Sequence, residues 1–253
     1  MRVPQARLKV ATGILILGVG KATRFLSYAQ ASHKRYEAVA RFGSTTSTQD
    51  AAGEVLETKP AAITRSDVED ALPSLTGRLQ QIPPMVSAVK IGGERLYKKA
   101  RRGESVERAA RDIEVTSLRL TGFVAGDPPE ATLDLVCSAG TYVRTLIHDL
   151  GQALGCGAHM ASLRRTEAGG FTEADAVPLE SVSAETVLPL AEVVRELDRV
   201  EISEDDATSV GHGRPLLPTE TRRAPVALMR EGRLLAVYRP EGDKLVADRV
   251  VPT

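Results

Sequence analysis

The stretch from Ala131 to Gly155 constrains this chain more than any other, because a strand pattern runs through a glycine turn directly into a helix pattern. Leu133, Leu135 and Cys137 alternate with polar residues, as on a half-buried strand. After Ser138-Ala139-Gly140, the residues Val143, Leu146, Ile147, Leu150 and Leu154 trace one helical stripe, and Gly155 is placed to end it. Such a junction predicts a sheet with a helix packed on it, and presents the first helical turn at the mouth of that sheet. Tyr142 and Arg144 occupy this turn. A cation there faces the positive end of the helix dipole, a penalty of a few tenths of a kcal/mol. Arg144 therefore calls for a carboxylate or phosphate partner, unless it is an exposed side chain beside Glu or solvent. Tyr142 is either a core aromatic or, if desolvated near a charge, a hydrogen-bonding or proton-accepting phenol.

Other segments extend this scheme. From Lys34 to Gly43 the chain alternates, with Tyr36, Ala38, Ala40 and Phe42 on one face, which predicts a half-buried strand. Tyr36 follows Lys34 and Arg35, so it reads either as a buried aromatic or as a stacking platform for an extruded base. Thr64 and Asp67 form a capping-box pattern ahead of Val68, Ala71, Leu72 and Leu75, which predicts an amphipathic helix. The apolar run from Gly13 to Val19 predicts a buried strand ending in a turn at Gly20. Around 178–197 the pattern is helical and acidic. Beyond it, 226–230, 233–239 and 244–251 read as three short strands in a meander. A boundary near residue 195 is expected, giving domains 1–194 and 195–253.

Composition narrows the function classes. The chain has 253 residues, and single cores stop growing at roughly 250. Lys plus Arg equals Asp plus Glu at 33 each, so any affinity for nucleic acid must come from uneven placement of charge. The marked positive concentration lies between Lys90 and Arg111, with Arg95, Lys98, Lys99, Arg101, Arg102 and Arg108 against Glu94, Glu104 and Glu107, and with Tyr97 inside it. It suits either a solvated helix face or contacts to an RNA backbone. Cys137 and Cys156 read as reduced, buried thiols of a cytoplasmic protein. Neither they nor the four histidines have metal-ligand spacing, so no metal is expected. Gly18-Val19-Gly20-Lys21 lacks phosphate-loop spacing, and no nucleotide cofactor is expected. No apolar run approaches the ~20 residues that span a membrane.

Five segments together resemble the TruB family of pseudouridine synthases: ATGILILGVGKATRF (11–25), SHKRYEAVARFGSTTSTQDAAGEV (32–55), QIPPMVSAVKIGGERLYKKARRGE (81–104), CSAGTYVRTLIHDLGQALGCGAH (137–159) and SLRRTEAGGF (162–171). The resemblance is dense over residues 10–200 and loose in the tail. It implies an α+β fold with a mixed, largely antiparallel sheet core and flanking helices, followed by a small β-rich PUA-like RNA-binding domain. It further implies an isomerase that flips uridine 55 out of the T loop of tRNA and rejoins the base through C5, as a cytoplasmic monomer needing no cofactor. By motif, Tyr36 is similar to the tyrosine that stacks on the flipped base, and Tyr142 to the one that faces it. Arg144 matches the arginine that pairs with the catalytic aspartate. Leu163, ahead of Arg164 and Arg165, matches the residue walling the uracil pocket. Lys90 and Arg24 fall in segments that approach RNA phosphates, and Arg214, in an HGRPL-like turn, is either a turn residue or a contact to the acceptor stem.

One part departs from the family pattern. Members carry a GHxGTLDPxATG loop, whose aspartate is the nucleophile, just ahead of the ATG segment. Here MRVPQARLKV precedes Ala11, and Leu8 stands where the aspartate is expected. Asp50 and Asp149 lie at other positions of the pattern and are not assigned as nucleophile. Arg144 is thus expected to lack its anionic partner, and the core sheet to have an unpaired edge. Three readings stay open: an ordinary synthase whose coding region starts further upstream, a catalytically inactive T-arm-binding protein or RNA folding helper, or the unfolded product of a pseudogene.

Overall fold

A computed structural model describes residues 11–87, 90–102, 104, 106–216 and 224–252; for residues 90, 91, 97, 100 and 101 it describes the backbone only. The chain forms two compact units. One comprises the residues up to Ile14 together with His33–Glu167, and the other Leu15–Ser32 with the residues from Ala168 onward. Elements are numbered in chain order throughout.

The first unit contains β1 (Ala11–Gly13), β2 (Lys34–Phe42), β3 (Ser44–Thr46), β4 (Val55–Thr58), β5 (Gly77–Gln81), β6 (Lys90–Ile91), β7 (Glu94–Arg95), β8 (Arg111–Val124), β9 (Glu130–Cys137) and β10 (Ala158–Ala168), with helices α2 (Arg65–Ala71), α3 (Leu96–Arg101) and α4 (Val143–Ala153). The large sheet runs β1-β10-β2-β9-β8-β5. Its pairs β2/β9, β8/β9 and β5/β8 are antiparallel, whereas β1 lies parallel to β10. The alternation read in the sequence decides which face is covered. Ala38, Ala40 and Phe42 from β2, with Leu133, Leu135 and Cys137 from β9, are buried with Val143, Leu146, Ile147 and Leu150 of α4 and Val68 of α2. The other face is polar, with Asp134 bonded to Arg35 and Arg119, each at 2.8 Å. Those bonds, Arg35 first, hold the Asp134 carboxyl below its usual range. The capping box on α2 is present, with Thr64 and Asp67 bonding each other's backbone N–H.

Two glycines permit close approach. A Cβ on Gly151 in α4 would fall 2.1 Å from the Ala158 nitrogen, so the helix rests directly on the start of β10. Gly13, at φ +94°, would place a Cβ 2.2 Å from the Arg165 carbonyl oxygen. The strand expected over 13–19 is shorter and differently placed: β1 ends at Gly13, and Leu15, Leu17 and Val19 are 65%, 54% and 66% exposed. Ile14 is buried and Ile16 half-buried, so this run alternates in its burial. Its uniformly apolar composition concealed that alternation. Among the described residues β1 is the end of the sheet, with β10 its neighbour.

The second unit holds α1 (Leu26–Ala31), β11 (Phe171–Thr172), β12 (Asp198–Glu201), α5 (Glu204–Gly211), β13 (Val226–Arg230), β14 (Arg233–Glu241) and β15 (Lys244–Val250). The last four strands form the expected meander plus β12, in the order β12-β13-β14-β15. Val226 and Leu228 pack with Val210, Tyr238 and Leu245, while Ala227 and Met229 pack with Phe25, Ala29, Val193 and Val194. Burial on both faces explains why β13 reads as a continuous apolar run. The helical pattern at 178–197 is realised as separate 3-10 turns at Leu179–Ser181, Ala184–Thr186 and Leu190–Val194; Pro189, inside the pattern, cannot supply the N–H a continuous helix needs there. The boundary expected near residue 195 falls inside this unit, next to Val193 and Val194 of its core. Among the described residues no helix is long and apolar enough to cross a membrane.

Candidate active site

The turn between β9 and α4 organises the site. Tyr142 is the N-cap residue of α4, and its side chain makes no capping bond. Its backbone is held by Gln81, the last residue of β5: the Tyr142 N–H donates to Gln81 Oε1 at 2.8 Å, and Gln81 Nε2 donates to the Tyr142 carbonyl at 3.1 Å. The Tyr142 hydroxyl makes no hydrogen bond among the described residues, so its donor and acceptor capacity is available to a ligand.

Arg144, in the first turn, does have an anionic partner, contrary to the expectation from sequence. Its Nη1 donates to Asp50 Oδ2 at 3.0 Å, with side-chain exposures of 12% for Arg144 and 2% for Asp50. Its Nη2 donates to the Val86 carbonyl. The guanidinium carbon lies 5.9 Å from the centre of the Tyr142 ring. Asp50 offsets the dipole penalty that singled out Arg144. A second contact grips the same turn, where Thr145 Oγ1 donates to Gln49 Oε1 at 2.7 Å.

Local geometry explains why Asp50 can be so deeply buried. Its other oxygen accepts from Thr48 Oγ1 at 2.7 Å and from the Ala52 N–H at 3.0 Å. The loop carrying it is docked on the start of β10, with Met160 N–H donating to the Gln49 carbonyl and Ala51 N–H to the Met160 carbonyl. Gln49 adopts φ +64°, an uncommon conformation for a residue with a side chain, and both its backbone and its amide are engaged. A carboxylate with three donors and almost no exposure is an anchor. It has no access by which to attack a ribose.

Tyr36 lies on β2, and burial pushes its phenol up from the ordinary tyrosine range, with Arg165 bonding its hydroxyl in opposition. Arg165 also donates to the Ile14 carbonyl, so its head group is held internally. Leu163, two residues earlier on β10, lies with Tyr36 against the core cluster that includes Val143 and Leu146 of α4. The Cys137 thiol, beside Tyr36 and bonded to Thr141, connects this cluster to the turn bearing Tyr142. Burial raises that thiol to about 11. Arg164 is exposed, with its guanidinium 3.4 Å from the Thr12 hydroxyl. Arg24 is exposed in the second unit, in the 3-10 turn Gly20–Arg24. Leu8 and the Lys90 side chain lie outside the described residues.

The basic segment is less free than its composition indicates. Arg102 binds both Glu94, at 2.8 Å, and Glu104, at 2.6 Å, and Arg108 donates to the Pro83 carbonyl. Lys98 and Lys99 of α3 make no ion pair among the described residues and can meet an external anion. Sequence reasoning missed Asp50, Gln81 and Gln49 as parts of the site. Each stood within a quoted segment, and only the fold shows that those segments meet at α4.

Residues 9–143 match the TruB family pseudouridylate synthase N-terminal domain, and residues 144–200 the tRNA pseudouridylate synthase B C-terminal domain. The tRNA pseudouridine synthase B of Thermobifida fusca is 45% identical over 237 residues, covering 90% of this chain and 80% of that protein. That of Pseudomonas paraeruginosa is 41% identical over 253 residues, covering 95% and 82%. The chain belongs to the TruB family. By family it is a tRNA pseudouridine synthase, an isomerase. Solved structures agree on the fold. A Cbf5-Nop10-Gar1 complex superposes with a TM-score of 0.70 at 22% identity, covering 96% of this chain and 74% of that one. An H/ACA RNP bound to a substrate RNA containing 2′-deoxyuridine gives 0.68 at 19% identity, covering 96% and 73%. The α+β architecture expected from the TruB resemblance, a mixed and largely antiparallel sheet with flanking helices and a C-terminal sheet, is the observed one.

Proposed function

We propose that this TruB-family chain binds the T arm of tRNA and receives uridine 55, flipped from its loop, between Tyr36 and Leu163 on the sheet and Tyr142 and Arg144 at the start of α4. The observation that carries this reading is the turn itself: a phenol with an unengaged hydroxyl beside a guanidinium locked by a buried carboxylate. A base can stack on an aromatic ring, and extrusion costs a few kcal/mol that such contacts offset. The isomerisation breaks the N1–C1′ bond, forms a C5–C1′ bond, and moves the C5 proton to solvent or to a basic group while N1 gains one. Tyr142 stands at the base to handle that proton, and Arg144 supplies positive charge beside the reacting centre. Arg164, Arg24, Lys90, Lys98 and Lys99 supply backbone contacts, and the C-terminal sheet unit, with Arg214, serves as a PUA-like RNA-binding module. No metal or cofactor takes part, and the chain acts as a monomer.

A second reading concerns turnover. Leu8 stands where the family resemblance places the nucleophilic aspartate, and Asp50, the carboxylate bonded to Arg144, is buried and already accepts from three donors. The chain is therefore expected to bind a T-arm hairpin with an affinity that falls steeply with salt, and to release no tritium from a hairpin carrying 5-tritiated uridine at position 55. Tritium release would overturn this second reading. Binding that does not distinguish the T arm from an unrelated hairpin would overturn the assignment of the target.

A further inference from the structure

We propose that Gln81 is a positioning residue for the base-binding turn: its carboxamide fixes the peptide groups on either side of Tyr142, and so sets the direction of the phenol and of Arg144 two residues on. This rests on the reading of Tyr142 and Arg144 as the base-facing pair.

Strand β5 is otherwise half-buried or exposed, yet Gln81 at its end is only 4% exposed. A buried amide is costly unless its polar atoms are satisfied, and here both Oε1 and Nε2 are satisfied by the backbone of one distant residue, 61 positions along the chain. The pair of bonds copies the exchange a neighbouring strand would make, at a point where no strand runs. The identity of the helix cap supports a functional purpose. N-cap positions favour Ser, Thr, Asp or Asn, whose side chains serve the first-turn N–H groups. Tyr142 occupies this one and serves none of them. A tyrosine at an uncapped helix start would be loosely held by its own turn, and Gln81 supplies from outside the constraint that the cap does not.

The Tyr142 carbonyl also accepts from the Thr145 and Leu146 N–H groups, at 3.1 Å each. Gln81 thus bonds the same oxygen that starts α4. Rotation of the Tyr142 peptide would break the grip and the first helical turn together, and Arg144 would be displaced from Asp50.

The test uses the full chain labelled with 3-fluorotyrosine, whose five tyrosines give separate fluorine signals; the Tyr142→Phe variant identifies the signal of residue 142. In the protein without RNA, one sharp Tyr142 line is expected. Gln81→Met, which keeps the length and removes both bonds, should broaden or split that line and leave the lines of the other four tyrosines in place. Gln81→Glu, which keeps the acceptor for the Tyr142 N–H, should give an intermediate line. On adding a T-arm hairpin, the wild-type Tyr142 line should shift. Gln81→Met should bind with an affinity within about threefold of wild type, because phosphate contacts dominate it, and yet show a smaller shift. An unchanged Tyr142 line in Gln81→Met overturns the proposal, as does loss of RNA affinity in step with thermal stability while the bound Tyr142 shift stays as in wild type. Failure of the wild-type line to respond to the hairpin would instead count against the reading of the site, whatever the two variants do to the line of the free protein.

Discussion

Arg144 and Asp50 illustrate how one charge can be present at a helix start that disfavours it. Breaking a buried pair by removing one partner costs about 3–5 kcal/mol, because the remaining charge is stranded. Asp50→Ala is expected to lower the stability measured by urea unfolding by that amount, and the double variant Asp50→Ala/Arg144→Met should regain part of the loss. Additive losses would show that the two side chains do not depend on each other. Cys137 makes a prediction in pH. Its thiol is raised from 9.0 to about 11 by burial, so the folded state holds a proton that the unfolded state releases. The stability linked to it is present below pH 9 and is lost as pH rises towards 11, on the order of 2 kcal/mol in all. Cys137→Ala should flatten this part of an alkaline unfolding profile, and an unchanged slope would refute the assignment. Of these residues, Arg144 stood out in the sequence because a cation at a helix start is anomalous. Asp50 did not, since an aspartate in a Ser/Thr-rich turn has an ordinary local explanation, and nothing local reveals that its loop docks on β10.

At the scale of elements, β2, β9, α4 and β13 to β15 lie within a residue or two of their expected ranges, whereas the helix expected to run on to Leu75 ends as α2 at Ala71 and continues as the 3-10 turn Leu72–Leu75. Two segments were misread for physical reasons. The 13–19 stretch is apolar on both faces but buried on only one, and the 178–197 stretch has helical spacing interrupted at Pro189. Helix α4 shows where propensity and packing oppose each other. Alanine is favoured over glycine in a helix by about 1 kcal/mol, yet a Cβ at 151 would collide with the backbone at Gly157 and Ala158. Gly151→Ala is therefore expected to destabilise the protein by about 1–3 kcal/mol net of that gain, read as a lower urea midpoint. A stabilised variant would show that α4 can lift away from β10 at no cost.

For the whole molecule, the chain order and the division into units differ. Residues 15–32 leave the first unit, and Phe25 and Ala29 pack in a core formed with Ala191, Val193, Val194, Ala227, Met229, Leu234 and Val237. No linear scan for composition shifts finds such an excursion, because its residues look like a continuation of the strand before them. A fragment ending at Val194 removes the β-strand half of that core and exposes the rest. It is expected to bind a hydrophobic dye and to unfold without a sharp transition, whereas the full chain should unfold cooperatively. A monodisperse, cooperatively folding fragment would instead put the functional boundary at residue 195.

The docking of the Asp50 loop on β10 also bears on how quickly RNA is captured. Every donor to Asp50 comes from the protein, so the guanidinium of Arg144 is aimed before any nucleic acid arrives. Binding at this turn then requires no prior rearrangement of Arg144. In stopped-flow mixing, the first, bimolecular phase should have a rate that climbs in proportion to hairpin concentration, as for a lock already cut to its key.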